Sequence, residues 1–374
     1  MSSITYYLCA DCGGTKTSVV ICDSNGKEIN RALGGPSNLS YLGVNAFVKV
    51  LQETVQKALY PKLEQDLITD LSFEGKFAAV WIGVSGVDSP SDIQSLNEAL
   101  SPLFAIPPGN RLQITNDAHL LASPLNSHPE LKHAVSVIAG TGSVVISFSK
   151  GDSLENGGPT PLKEMARVGG WGWILGDLGS GFEIGKEAIR EILFRADNLS
   201  VEGQPIVPTA ADPKSLQSRI LSHFGISLVP DLFGVIYAPD PLPTNTNIVN
   251  GSEKKKHPTM YIPRERRLSQ LCPLIFEAAF EHGDELALTV LRRCANAFAH
   301  LIASILQPTS GRIPKRAVEA SKSIFCLGGS LLGIVQYQDL ICEELEKLGH
   351  VFPVIQFVND VALSGAQSLA ALDR

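Results

Sequence analysis

The sequence is short of the features that mark several large protein classes. Basic residues are the minority, 31 Lys and Arg against 38 Asp and Glu for a net charge of −7. That balance argues against nucleic acid as the main partner, because phosphate backbones are held by clustered positive charge. The dense basic clusters, Lys254-Lys255-Lys256 and Arg264-Glu265-Arg266-Arg267, sit in polar, Pro-containing sequence and read as solvated loop. No apolar run approaches the ~20 residues that cross a bilayer. The first residues show neither a basic leader nor a cleavage pattern, so no membrane partner is expected. Cys9 and Cys12 form a C-x-x-C without the second pair a zinc site needs, or the helix a redox site needs. The seven cysteines are scattered through apolar runs, as reduced thiols are, which makes the cytoplasm the expected compartment. Cys9 reads as core, and Cys12 as an alkylatable turn residue. H-E-x-x-H, a Ser-centred nucleophile elbow, the P-loop and Gly-x-Gly-x-x-Gly after a strand are all missing.

What is present is one glycine-rich strand–turn–strand unit made twice. Tyr6 to Cys12 runs into Gly13-Gly14-Thr15-Lys16-Thr17 and out through Ser18-Val19-Val20-Ile21-Cys22. Ala134 to Ala139 runs into Gly140-Thr141-Gly142-Ser143 and out through Val144-Val145-Ile146-Ser147-Phe148. Asn25-Gly26 and Lys150-Gly151-Asp152 supply the turns that follow. Glycine lets backbone N–H groups approach an anion closely, and the Thr hydroxyls add donors. Two such turns facing each other would hold successive phosphates, which points to a nucleotide and to phosphoryl transfer.

With 374 residues, 44% of them hydrophobic, the chain can bury a sizeable core, and its length suggests two or three domains. The first half reads β-β-α-β-α-β-α: after the hairpin, a helix over 44–62, a strand over 77–84, a helix over 92–103, a strand over 111–115 ending at Asn116-Asp117, and a helix over 118–123. The second half echoes it with helices over 181–196 and 268–306, a strand over 323–327 opening into Gly328-Gly329, and a strand over 354–358 ending at Asn359-Asp360. A glycine-rich helix follows to the C-terminus. Gln113-Ile-Thr-Asn116-Asp117-Ala118 and Gln356-Phe-Val-Asn359-Asp360-Val361 are close in letters. We read an internal duplication giving an α/β fold of two lobes with a cleft between them, where ligands usually sit. The N-terminal lobe is drawn at 1–120 and the C-terminal lobe at 121–374, with the last helix left open to return to the first lobe. The Pro-, Asn-, Thr- and Lys-rich segment 238–258 reads as a mobile insertion.

Several side chains could carry chemistry. Asp11, before the first glycine turn, is read as a Mg²⁺ contact through water, since a carboxylate beside phosphates needs a cation between them. The alternative is a turn-initiating Asp. Asp117 is either a helix N-cap or a general base for an attacking hydroxyl, and the residues alone leave both open. Val168 to Gly181 packs its glycines around Trp171 and Trp173, too many for a regular helix or strand interior. An aromatic wall, backbone donors and Asp177 are what a sugar site uses, and the core role is given to Trp173. Asn38 offers a loop amide, and His119 is expected to face solvent or cap a helix.

Together, Asp-x-Gly-Gly-Thr-Lys-Thr, Asn-Asp-Ala, Gly-Thr-Gly-Ser, Gly-Gly-Trp-Gly-x-x-Leu-Gly-Asp-x-Gly-Ser-Gly and the late Gly-Gly run in order across nearly the whole chain. The pattern resembles the N-acetylglucosamine kinase family of the actin–hexokinase–Hsp70 superfamily, near the ATPase branch of benzoyl-CoA reductase activators. The resemblance implies duplicated ribonuclease H-like lobes and ATP-dependent phosphorylation of the amino sugar's 6-hydroxyl with Mg²⁺. It implies that Gly13, Gly14, Thr15, Lys16, Thr17, Gly140, Thr141, Gly142 and Ser143 bind phosphates and that Gly328 and Gly329 bind adenosine. It further implies Asp117 as catalytic base, and Asn38, Asp117, Thr141, Gly170, Trp171, Asp177 and Gly181 at the sugar. A homodimer is usual for it. The family usually has Gly where Cys12 stands and Glu where Leu178 stands. Glucosamine and N-acetylmuramic acid are alternative substrates; an activator-type ATPase and a catalytically weak sensing protein are alternative functions.

Overall fold

Both expected hairpins form, and each seeds a sheet of the same order. β1 (Tyr6–Cys12) pairs antiparallel with β2 (Thr17–Asp23). β6 (His133–Ala139) pairs antiparallel with β7 (Ser143–Ser149). The structure, a computed structural model, describes residues 5–61, 72–87, 89–151, 162–204, 212–241 and 262–372. With β3 (Glu28–Gly34), β4 (Ala79–Val84) and β5 (Leu112–Asn116), the first five-stranded sheet has the order β3-β2-β1-β4-β5. With β8 (Lys163–Gly169), β9 (Ser323–Gly328) and β10 (Val354–Phe357), the second runs β10-β9-β6-β7-β8. Read from its far edge the second order is that of the first, so the duplication seen in the letters is one of topology. In each sheet the hairpin is antiparallel and the later strands are added in parallel.

Alternation along the strands builds the layers. Leu8, Ala10 and Cys12 face α1 (Leu39–Leu59) and α2 (Pro90–Phe104) in one core. Tyr7 and Cys9 face the other way, into a core shared with Ala134, Ile146, Phe148, Ile324 and Cys326 of the second sheet. Between the sheets lie a 3₁₀ helix, Asp117–Ser127, and α11 (Val361–Leu372). The C-terminal helix therefore returns to the first sheet. A Cβ at Gly365 would lie 2.4 Å from Cys9 Sγ, so glycine is what lets α11 cross β1 this closely. The outer face of the second sheet is covered by the remaining helices in a third core.

The structure departs from the sequence expectations in ways with clear causes. β3 and β8 were not anticipated, because both are edge strands carrying charge (Glu28 and Arg31, Lys163 and Arg167) in place of a buried run. The single helix expected over 268–306 is broken into the end of α7 (Arg264–Ser269), α8 (Cys272–Phe280) and α9 (Glu285–Ala303). Pro273 sits in the first turn of α8, Gly283 takes a φ of +66°, and Asp284 caps α9 by accepting the Ala287 N–H at 2.8 Å. In the Gly-Trp stretch, β8 ends at Gly169 and one short helix, α3 (Gly172–Leu175), forms where irregular chain was expected. The Arg264–Arg267 cluster is a helix and not a solvated loop. Arg267 is fully buried, its guanidinium donating to the carbonyls of Ile262, Val235, Ala238 and Pro239 at 2.6–3.1 Å. That set closes the C-terminal end of α6 (Asp231–Tyr237). The Lys254–Lys256 cluster and the expected insertion from residue 242 onward lie outside the described residues. α9 reaches a mean hydropathy of 1.2 over its most apolar 18 residues, but Leu286, Val290, Leu291, Phe298 and Ile302 are buried in the core.

Candidate active site

The first glycine turn is tied down from two sides. Gly13 donates its N–H to the Lys16 carbonyl at 3.0 Å, and its own carbonyl accepts from Ser37 N–H at 2.9 Å. Ser85 N–H, at the end of β4, reaches the Cys12 carbonyl at 2.9 Å. Gly14, Thr15 and Lys16 remain exposed. Thr17 does not join them: it is buried, its Oγ1 donating to the Gly35 carbonyl at 2.7 Å and lying 2.6 Å from Ser37 Oγ. Asn38 caps α1, accepting from Tyr41 N–H at 3.3 Å, and its Nδ2 donates to Ser85 Oγ at 3.1 Å. Cys12 is the last residue of β1, not a turn residue, and has no solvent exposure. Burial raises its thiol well above the ordinary range, against a smaller opposing hydrogen bond with Ser37, so it is not the alkylatable site expected.

Asp117 begins the 3₁₀ helix, but the cap is Asn116, whose side chain accepts the Ala118 N–H at 3.1 Å and donates to the Val87 carbonyl at 3.1 Å. Asp117 itself is half-buried. Its charge is felt at Asp11: burial first, and Asp117 second, push the Asp11 carboxyl up to about 6, while Lys16 pulls it down. Geometry sets the two side by side: Asp11 lies opposite Gly83 in the β1–β4 ladder, and a Cβ at Gly83 would come within 3.2 Å of the Asp117 Cα. Asp360, in the matching local sequence, is used up structurally: it accepts the Leu363 N–H of α11 at 2.9 Å and pairs with Arg31 at 2.8 Å. His119 neither faces solvent nor caps a helix. Its ring stands edge-on to Phe148 at 4.7 Å, and burial pulls its pKa down to about 4, so it is neutral at pH 7.

The second glycine turn rests on the Gly-Trp loop. Ser143 is buried, donating its N–H to Asp177 Oδ1 at 3.3 Å and its Oγ to the Leu178 carbonyl at 2.6 Å. A Cβ at Gly142 would lie 2.8 Å from Asp177 Oδ2, so the turn packs directly on that carboxylate. Asp177 is buried and holds a φ of +61°. Gly170, with a φ of +71°, donates to the Ser143 carbonyl at 2.9 Å. Gly181, the first residue of α4 (Gly181–Val201), donates to the Gly140 carbonyl at 2.8 Å. Among the sugar-site expectations, then, Asp177, Gly170 and Gly181 frame the second turn, whereas Asn38 lies with Ser85 on the first sheet. Trp171 is 74% exposed while Trp173 packs edge-on to Phe182 at 5.1 Å, so the packing role falls to Trp173 as expected.

Beside the second turn opens a pocket of about 400 Å³ lined by Gly140, Thr141, Ser330 and Ile334, with Gln270 and Phe276 opposite. Gly329 makes its rim possible: with a φ of +88° its absent Cβ would lie 2.4 Å from the Ala139 carbonyl oxygen. Leu331 N–H donates to that same carbonyl at 3.1 Å. Ser269, Gln270, Cys272 and Phe276 were missed from the sequence, because they sit at the break between α7 and α8 inside what reads as one helix. Pro273 was the available signal. Phosphate-sized glycine turns, an apolar slot next to one of them and paired carboxylates near the other are the parts of a nucleotide-dependent phosphotransfer site.

The duplicated fold is of the actin–hexokinase type. The chain belongs to the BadF/BadG/BcrA/BcrD ATPase family, whose model matches residues 10–353. It is 28% identical over 298 residues to the N-acetyl-D-glucosamine kinase of Dictyostelium discoideum, covering 79% of this chain and 78% of that protein. It is likewise 28% identical over 232 residues to the N-acetylmuramic acid/N-acetylglucosamine kinase of Clostridium acetobutylicum, covering 62% of this chain and 64% of that protein. A solved structure from Porphyromonas gingivalis, described provisionally as an N-acetylglucosamine kinase, matches with a TM-score of 0.56 at 18% identity. It covers 97% of this chain and 98% of that one.

Proposed function

We propose that the protein transfers the γ-phosphoryl group of ATP to the 6-hydroxyl of N-acetyl-D-glucosamine. The observation that carries this reading is Asp117: Asn116 takes the helix cap, and the Asp117 carboxylate shares a site with Asp11 beside the first glycine turn. In the reaction Asp117 takes the proton of the 6-hydroxyl as O6 attacks the γ-phosphorus. The bond from that phosphorus to the β,γ-bridging oxygen breaks, and ADP leaves. Gly14 to Lys16 and Thr141 to Gly142 offer backbone donors to the phosphates, the Gly13 and Gly140 N–H groups being used to close their own turns, and the slot walled by Phe276 and Ile334 takes the adenine. Trp171 lies over the apolar face of the sugar ring.

Asp11 suits a Mg²⁺ held through water. Its carboxyl is raised by burial and a like charge, a cost that a divalent cation offsets, and one carboxylate with water and phosphate oxygens is a donor set Mg²⁺ favours. When bound, the ion neutralises phosphate charge; the protein residues do the orienting. Residues 1–120 and the chain from 121 to the start of α11 are taken as the lobes that close to exclude water, with α11 counted with the first sheet on which it packs. The cytoplasm and a homodimer complete the proposal, the unpaired cysteines suiting a reducing compartment. An electron-transfer activator is disfavoured, because Cys9, Cys12, Cys22, Cys272, Cys294 and Cys326 are all buried, and the half-buried Cys342 alone would bring one thiol per chain to a shared cluster. Proton and phosphorus NMR of the product tests the site of transfer: phosphorus coupling to the two H6 protons supports it, and coupling to H1 rejects it.

A further inference from the structure

Two buried titratable groups that take no part in the phosphotransfer step hold the N–H and the C=O of one glycine, Gly179. Tyr337, in α10 (Val335–Lys347), is completely buried and donates its hydroxyl to the Gly179 carbonyl at 3.1 Å. Glu183, in the first turn of α4, accepts the Gly179 N–H at 2.5 Å. No other residue could stand at 179. Its φ is +72°, and a Cβ would lie 2.4 Å from the Phe298 ring. Phe298 bars Gly179 on one side, so its remaining freedom to turn is governed by its two hydrogen bonds.

What this latch holds is the ground under the second glycine turn. Immediately before Gly179, the Leu178 carbonyl and the Asp177 carboxylate take the two hydrogen bonds of Ser143. Two residues after it, Gly181 N–H holds the Gly140 carbonyl. On its other side Tyr337 stands edge-on to Phe276, with ring centres 5.4 Å apart and planes at 86°. Phe276 lines the pocket that opens beside Gly140 and Thr141. A continuous series of packed and hydrogen-bonded groups thus runs from the pocket wall through Tyr337 and Gly179 to Asp177 and the Gly-Trp loop.

We propose that Tyr337 is a positioning residue that couples occupancy of the nucleotide pocket to the affinity of the sugar site. A nucleotide base against Phe276 fixes Tyr337. Tyr337 then fixes the Gly179 carbonyl, and with it Asp177 and the loop carrying Trp171. Binding at one end lowers the ordering cost left for the other, and the coupling must be equal in both directions. The hydroxyl is the step where the series can be cut without emptying the core, since Tyr337→Phe keeps the ring on Phe276.

This inference rests on the amino-sugar kinase reading. Its test is the dissociation constant of N-acetylglucosamine measured by calorimetry with and without a saturating non-hydrolysable ATP analogue. In the native chain the analogue tightens sugar binding by about fivefold or more, the lower end of ordinary coupling. In Tyr337→Phe the ratio falls to within about twofold of one, while each ligand alone binds within about threefold of native. Glu183→Gln, which keeps an acceptor oxygen for Gly179, retains most of the coupling, whereas Glu183→Ala loses it. A native ratio of one, or an unchanged ratio in Tyr337→Phe, overturns the coupling; weaker binding of either ligand alone with the ratio intact marks a merely structural tyrosine and overturns it too. Failure of the native chain to bind the sugar at all overturns the kinase reading and the coupling together.

Discussion

Asp11 and Asp117 act on each other across a strand that leaves them room. Asp11 lies opposite Gly83 in the β1–β4 ladder, and a Cβ at Gly83 would come within 3.2 Å of the Asp117 Cα. The charge of Asp117 is the second cause, after burial, of the raised Asp11 carboxyl. A site that brings two carboxyls together at the ends of β1 and β5 works against itself until a cation or a proton joins it.

Asp117→Asn keeps the shape and removes the base. Turnover is expected to fall at least a hundredfold or so, with sugar affinity little changed. Coupled ADP release gives the rate and calorimetry the affinity; near-native turnover removes Asp117 from the mechanism.

The Asp11 carboxyl sets a pH dependence of stability. Its folded value of about 6 lies above the 3.8 of an unperturbed Asp. Between those values the folded state therefore binds more protons than the unfolded one, and stability falls as pH rises. Asp11→Asn removes this contribution, so its melting temperature gains on the native chain as pH rises from 4 to 7. Parallel melting curves across that range, with no nucleotide present, would count against the raised carboxyl.

The two tryptophans of the loop should separate. Trp171→Ala, at an exposed residue, raises the sugar KM more than the ATP KM and leaves the melting temperature near native. Trp173→Ala removes the edge-on contact with Phe182 and lowers the melting temperature by several degrees. Equal shifts in both KM values for Trp171→Ala would make it a structural residue.

Glycines in the two turns answer to different demands. A Cβ at Gly14 would meet nothing within 4 Å, so Gly14→Ala leaves stability unchanged and raises the ATP KM where phosphate must approach the backbone. Gly329→Ala drives a methyl into the Ala139 carbonyl at 2.4 Å with a φ of +88°, and is expected to lower the melting temperature sharply. A Gly14→Ala variant with native ATP kinetics would place the phosphates elsewhere.

The hairpins, the parallel strands and the repeated order were legible because continuous apolar runs and glycine turns are local signals. β3 and β8 were not, since an edge strand such as Glu28–Gly34 carries charge and borrows its register from its neighbour. The α7–α8 break was missed because Pro273 stands at a first helical turn, where it interrupts little. Arg267 illustrates the larger difficulty: its letter says surface, and only the carbonyls converging from Val235 to Pro239 make its burial affordable. In the site, local chemistry raised Asp117 and Trp171 only as candidates and left Asp117 open between cap and base, while the inward turn of Thr17 and the Tyr337–Gly179 contact join residues 18 and 158 positions apart. No local pattern reports such contacts.

The most direct test is ADP release with MgATP against a panel of hexoses, amino sugars and N-acetylated amino sugars. The account expects sugar-dependent turnover with N-acetylglucosamine and little with glucose or glucosamine. Nucleotide binding without sugar-dependent turnover would contradict it, and would make this chain a binding protein built on a kinase fold.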